Sequence, residues 1–133
     1  MGIDYGTKRI GLAVTDPLQI IASGLDTVET DKIWAFLERY LSEEEVERIV
    51  IGYPLHLDGQ PTYVAVQVDE FIKKLHEQFP TLEVTKHDER FTSKDAKQII
   101  LQSGAKKKKR RDKSLVDKVS AVLILQDFLE AQR

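Results

Sequence analysis

"ERIVIGYP", residues 47–54, is the stretch that most limits what this chain can fold into. Ile49, Val50 and Ile51 form an unbroken β-branched run, closed by Gly52 and Pro54. Such a run has no polar face to offer water, so it reads as a buried parallel strand covered on both sides. On its N-terminal side, Ile33, Phe36, Leu37, Tyr40 and Leu41 recur at helical spacing after a helix start at Asp31. On its C-terminal side, after the loop "LHLDGQP", Val64, Val68, Phe71, Ile72 and Leu75 form a second helical stripe. Parallel strands joined through helices specify an α/β architecture.

The chain opens with a hairpin from Met1 to Val14. Ile10, Leu12 and Val14 alternate with Gly11, Ala13 and Thr15, giving one greasy face and one small-residue face. "GTKR" supplies the turn, with Gly6 free to take positive φ. Ile20 to Val28 reads as a third strand, entered through the Asp16-Pro17 turn. "LEVTKHDER" is a further strand ending in charge. Thr92 with Asp95 forms a capping-box pattern for a helix through Ile99, Ile100 and Leu101, closed by Gly104. The final helix, "SLVDKVSAVLILQDFLEAQ", is apolar around most of its circumference and is expected to be mostly buried. The order β-β-β-α-β-α-β-α-α predicts one α/β domain over residues 1–133, a mixed sheet with helices on both faces.

Composition narrows the chemistry. No apolar run approaches the roughly 18 residues of a membrane-spanning helix, and no signal peptide precedes the first strand. With no Cys, a metal site must use carboxylates or His, and a reducing cytoplasm fits. The net charge of -2 hides an uneven distribution, because seven of the 20 Lys and Arg residues fall between Lys106 and Lys113 with one acid, Asp112. An acidic body bearing one basic segment points to a polyanionic partner at that segment or to a solvated loop.

Three acids stand where a charge is disfavoured. Asp4 lies among apolar residues of the first strand, where a buried carboxylate is costly unless paired. Glu89 follows the last strand, where α/β sheets gather their sites. Asp117 sits among Leu115, Val116, Val119 and Ala121. Asp4 and Glu89 can meet if their strands are neighbours, and Asp117 can join them if the last helix crosses the sheet at that level. Converging carboxylates repel unless a cation neutralises them, and hard oxygen donors favour Mg²⁺ or Mn²⁺. Such a cluster can hold two ions about 4 Å apart for phosphodiester hydrolysis. A metal would then be the partner of Asp4, with Gly11 and Ala13 leaving room for ion and substrate. Structural readings compete: an Asx-turn from Asp4 to the Gly6 or Thr7 amide, a pair between Glu89 and Arg90 or Lys86, and a Ser114–Asp117 capping box. His56, His76 and His87 lack ligand spacing; His76 suits surface or core, and His87 could orient a carboxylate or a water. Lys8 and Arg9 at the hairpin tip could hold a phosphate beside a metal site.

The ordered blocks "GIDYGTKRIGLAVTD", "IVIGYPLHLDG", "HDERFTS" and "KSLVDKVSAVLILQ" span nearly the whole chain and resemble the YqgF family. Its members are also called RuvX or pre-16S ribosomal RNA nucleases and are similar to RuvC-type Holliday-junction resolvases. "DYGTK" alone would also fit the phosphate loop of actin-like ATPases, a fold that needs two such lobes. The resemblance implies an RNase H-like fold, a five-stranded mixed sheet flanked by helices with an acidic, metal-binding centre. It places the catalytic and metal-ligating residues at Asp4, Glu89 and Asp117, with Asp88, Arg90, Gly6 and Thr7 in support. Gly52, Pro54 and Leu55 match the family's G-x-P-L loop near the site. Family members usually carry a few apolar residues before G-[ILF]-D, so a short first strand or an internal start is expected here.

The resulting expectation is a cytoplasmic nuclease using Mg²⁺ or Mn²⁺, two ions, on structured nucleic acid, with pre-ribosomal RNA at the 16S 5′ end as substrate. Lys106, Lys107, Lys108, Lys109, Arg110, Arg111 and Lys113, with Lys8 and Arg9, would track phosphates. Lacking interleaved aromatics, the basic segment positions substrate rather than reading bases. A pre-ribosomal particle is the expected larger partner, no membrane is involved, and a monomer or weak homodimer is the expected state. Holliday-junction cleavage, which needs two sites in a symmetric dimer, is the alternative substrate. A non-catalytic RNA-binding assembly factor is the alternative of another class.

Overall fold

The computed structural model describes residues 1–56, 58–88 and 113–131. In chain order these form β1 (Gly2–Asp4), β2 (Arg9–Thr15), β3 (Ala22–Glu29), a 3₁₀ turn (Thr30–Lys32), α1 (Ile33–Glu43), β4 (Arg48–Tyr53), α2 (Tyr63–Gln78), β5 (Glu83–Asp88) and α3 (Lys113–Ala131). The five strands make one sheet in the order β3-β2-β1-β4-β5. β1, β2 and β3 are antiparallel neighbours, whereas β1, β4 and β5 run parallel. This is the mixed sheet that the sequence pattern predicts. The helix expected from Thr92 to Gly104 and the basic segment from Lys106 to Arg111 lie outside the described residues.

The period of two along each strand sorts side chains onto two cores. Ile3, Ile10, Leu12, Ile49 and Ile51 face α1 and α2, where they meet Ile33, Leu37, Val68, Phe71 and Leu75. Ala13, Ala22 and Val50 face the other way and pack under Ala121, Ile124 and Leu125 of α3. Helices therefore cover both faces, and β4 is buried on both, as its unbroken apolar run requires. α3 shows Asp127, Glu130 and Ala131 to solvent and is otherwise mostly withdrawn from it, in line with its nearly all-round apolar sequence.

The small-residue face of β2 has a different use from the one expected. Gly11 leaves room for a helix, not for ion and substrate: a Cβ there would stand 2.5 Å from the Asp117 carbonyl carbon and 3.1 Å from the Lys118 nitrogen. At Gly2 a Cβ would meet Leu125 Cβ at 2.8 Å and the Ala121 carbonyl oxygen at 2.9 Å. Adjacent strands thus let the backbone of α3 settle directly on the sheet. Ala13 is likewise covered by α3.

Two turns differ from expectation in instructive ways. Gly6 does not adopt positive φ; among the described glycines that conformation belongs to Gly59, at φ 88°. What Gly6 supplies is space, because a Cβ there would run into the Arg9 carbonyl oxygen. After β2, the Asp16 carboxylate accepts from the amides of Leu18 at 3.1 Å, Ile20 at 2.9 Å and Ile21 at 2.7 Å. These backbone donors, the Ile21 amide foremost, hold the Asp16 carboxyl below its ordinary range. The residue at positive φ in that turn is Gln19, at 57°.

Candidate active site

Asp4 is the last residue of β1, and its ladder partner on β2 is Gly11. Directly opposed residues of an antiparallel pair project to the same face, so Asp4 shares the α3 face with Gly11. Because Gly11 has no side chain, the Asp117 backbone rests against it. The condition for Asp117 to reach the sheet is therefore met: α3 crosses at the level of Asp4. The β1–β2 turn and the start of α3 border an open cleft of about 340 Å³ lined by Asp4, Tyr5, Gly6, Thr7, Arg9, Pro54, Val64 and Asp117.

Within the cleft, Arg9 Nε donates to Asp117 Oδ2 at 3.1 Å. Arg9 and Gly11 are two apart on β2 and so project to the same side, which aims the guanidinium at the carboxylate. The capping-box reading of Asp117 loses ground here, since Lys113 already belongs to α3 and Ser114 is not its N-cap. Asp4 is half-buried and is engaged within the protein. The turn that carries Gly6, Thr7 and Lys8 is tied down by one residue, Thr30. Its hydroxyl donates to the Gly6 carbonyl at 2.7 Å and its amide to the Lys8 carbonyl at 2.9 Å. Thr7 and Lys8 are exposed at the rim.

Below the cleft, Tyr5 and Trp34 both pack against Phe71 with tilted rings, centroids 5.2 and 4.9 Å apart. Burial, then the nearby Glu70, pushes the Tyr5 hydroxyl above its usual range. The G-x-P-L loop contributes Pro54 to the lining, and its carbonyl accepts from Thr62 Oγ1 at 2.9 Å and Thr62 N at 3.1 Å just before α2. Tyr5 and Val64 carry no sequence signal for a site, since an aromatic or a valine in that pattern reads as core. Thr30 likewise passes for an ordinary helix-start residue.

The remaining expected residues fall as follows. β4 lies between β1 and β5, so the strands that bear Asp4 and lead to Glu89 are not neighbours. At the level of Asp4, the α3 face of β4 carries Gly52, which adds no side chain. Glu89 and Arg90 lie outside the described residues, as do Lys106 to Arg111 and the side chain of Lys113. Asp88 ends β5 opposite Tyr53 and is exposed. His56 and His76 are at the surface. His87 Nε2 stands 2.6 Å from Asp127 Oδ2, so the carboxylate it orients is on α3 and away from the cleft. Across the sheet, Asp69 accepts from Lys86 at 2.7 Å and from the Tyr53 hydroxyl at 2.9 Å, the lysine foremost in holding it below the usual carboxylate range. Among the described residues no group of three acidic or histidine side chains is placed to hold a metal ion. Two of the three expected acids share one cleft.

Comparison with known proteins bears on this arrangement. Residues 1–131 match the RuvX family, described as a Holliday junction resolvase. A Christiangramia forsetii protein named "Putative pre-16S rRNA nuclease" is 50% identical over 129 residues, covering 97% of this chain and 96% of the relative. A Porphyromonas gingivalis protein of the same name is 50% identical over 130 residues, with 98% and 94% covered. One from Amoebophilus asiaticus is 47% identical over 133 residues, with 100% and 94% covered. Among solved structures, Fowlpox virus resolvase in complex with Holliday junction DNA superimposes with a TM-score of 0.58, covering 98% of this chain and 96% of that one. At 12% identity this is a likeness of fold, and it agrees with the RNase H-like architecture implied by the sequence. Matched from residue 1 to residue 131, and half identical to relatives of the same length, the chain belongs to the RuvX family.

Proposed function

We propose that this chain, as one domain over residues 1–133, is a metal-dependent nuclease that cleaves phosphodiester bonds in structured nucleic acid. Its substrate on this reading is pre-16S rRNA at the 5′ end, in the cytoplasm, where a pre-ribosomal particle presents it. The observation that carries the proposal is the meeting of Asp4 and Asp117 on one open cleft, from opposite ends of the sequence. Among the described lining residues two carboxylates face one guanidinium, an excess of negative charge suited to a cation. The names of the relatives support the substrate.

The donor set fits a hard divalent cation, since among the described residues the lining offers carboxylate oxygens and no sulfur or imidazole. Asp4, Asp117 and Glu89 would hold Mg²⁺ or Mn²⁺. Two such ions, when bound, supply an activated water and positive charge for the departing 3′ oxygen. The chain's own groups do the rest. Gly6 lets the turn close against the Arg9 carbonyl, which holds the Thr7 and Lys8 rim where a phosphate can meet it. Asp88 and Arg90 support the acids from the end of β5. Lys8, Lys106 to Arg111 and Lys113 would contact the strand's phosphates, through interactions that weaken steeply with salt. None of the described helices is long and apolar enough to cross a membrane. A monomer or weak homodimer suffices on this reading, since a single cut does not require two coordinated sites.

The test compares wild type, Asp4→Asn and Asp117→Asn on pre-16S rRNA and on a four-way junction, each with Mg²⁺, Mn²⁺ and chelator. Loss of cleavage in both variants at unchanged melting temperature supports the nuclease. Undiminished RNA maturation in both would leave a non-catalytic RNA-binding factor. Junction cleavage by a stable dimer, with no action on RNA, would favour the Holliday-junction reading that the family description supports.

A further inference from the structure

Arg9 reaches the cleft from β2 and contacts Asp117, 108 residues away, at 3.1 Å. Glu29, opposite Arg9 in the ladder, pairs instead with Lys32 at 3.4 Å. The Arg9 and Asp117 side chains are 33% and 25% exposed, so water competes for both and the pair is weak. A guanidinium cannot lose its proton to make way for a second cation. A divalent ion that takes the Oδ2 oxygen, alone or together with Oδ1, must therefore displace Arg9, and Thr7 and Lys8 beside it are exposed, leaving an outward path.

We propose that Arg9 is a displaceable counter-ion. It neutralises Asp117 while the cleft holds no metal, and turns to a phosphate of the bound strand once a divalent cation claims that carboxylate. This rests on the nuclease reading above. It makes metal and strand binding mutually reinforcing: the metal frees the guanidinium, and the phosphate draws it away from Asp117. Arg9 is then a positioning residue before metal entry and a phosphate contact after it.

The experiment measures Mn²⁺ affinity by electron paramagnetic resonance for wild type, Arg9→Gln, Arg9→Met, Arg9→Lys and Asp117→Asn. Binding of a labelled oligonucleotide is followed over a salt series with and without Ca²⁺. Removing the competing charge should tighten Mn²⁺ roughly three- to ten-fold in the Gln and Met variants. Arg9→Lys, which keeps the charge, should stay near wild type. With Ca²⁺, the Gln and Met variants should lose a little under one unit of salt slope, about that of one phosphate contact. Melting in chelator reports folding, and the neutral variants serve as replicates of each other. Mn²⁺ affinity that depends on Asp117 but is unchanged or weaker without Arg9 overturns the proposal and leaves the nuclease standing. Mn²⁺ affinity insensitive to Asp117→Asn overturns the nuclease reading as well.

Discussion

Replacing Gly11 by Ala should damage the cleft more than the fold. The added methyl would stand 2.5 Å from the Asp117 carbonyl carbon, and closer still to its oxygen. Carbon atoms keep about 3.5 Å, so α3 must lift by roughly 1 Å at its first turns. Both obstacles are backbone, and no side chain can swing aside. Overpacking of this kind costs about 1–3 kcal/mol, and a clash with helix backbone that cannot swing aside points to about 3 kcal/mol. For a domain of this size that is roughly 10 °C in melting temperature. The residue displaced is Asp117 itself, and a shift of ~1 Å at reacting groups can lower a rate by about 100-fold. The built-in comparison is Gly24→Ala, whose Cβ would meet only Lys118 Cγ at 2.8 Å and Cδ at 3.0 Å, atoms of a flexible side chain. It should melt within about 3 °C of wild type, a shift of under ~1 kcal/mol. Circular-dichroism melts would be paired with pre-16S rRNA cleavage far below either transition. A Gly11→Ala protein that melts with wild type and cleaves at the wild-type rate would refute the claim that the glycine exists to seat Asp117.

Three further outcomes follow from single side chains. Ser120 is buried, and its hydroxyl has no hydrogen-bond partner among the described residues, so Ser120→Ala should raise stability by about 1 kcal/mol in a thermal melt. Asp16→Ala should lower the melting temperature, because three amides lose their acceptor. Its carboxyl is depressed in the folded state, so the wild-type advantage should be full above the unfolded pKa near 3.9 and fade as pH falls through the lower folded value. Melts from neutral pH downward would show the two curves converging in acid. Lys86→Met removes one bond from a half-exposed Asp69 that keeps its Tyr53 partner, and should cost less than about 1 kcal/mol. That cost should shrink further at about 1 M salt, and a larger loss would mean the network stabilises the sheet.

What the sequence made legible was local. The alternation Ile10, Gly11, Leu12, Ala13 announces a strand with unequal faces, and "RIVIGY" announces a strand covered twice. Both readings hold in the structure. A row of small residues says that something comes close without saying what, so α3 could not be told from a substrate there. Asp4 and Asp117 drew notice because each contradicts its surroundings, which is itself a local property. Their common cleft depends on the strand order and on where α3 crosses, and neither is encoded in any window of the chain. The Arg9–Asp117 pair is hidden for the same reason, its partners being 108 residues apart. Gly6 reads as a turn residue for its freedom of φ, whereas its use is clearance from a carbonyl, and the two leave the same mark in a sequence.

The seating of α3 on Gly2 and Gly11 also sets a timetable. During synthesis the sheet's acid emerges with the first strand, whereas the helix's acid comes after nearly all of the domain and must dock across several strands. A ribosome-bound chain stopped before residue 113 has half of the pair and no roof over it. On the proposed reading the two acids can meet only once α3 has emerged and docked, so cleavage would wait for that last step.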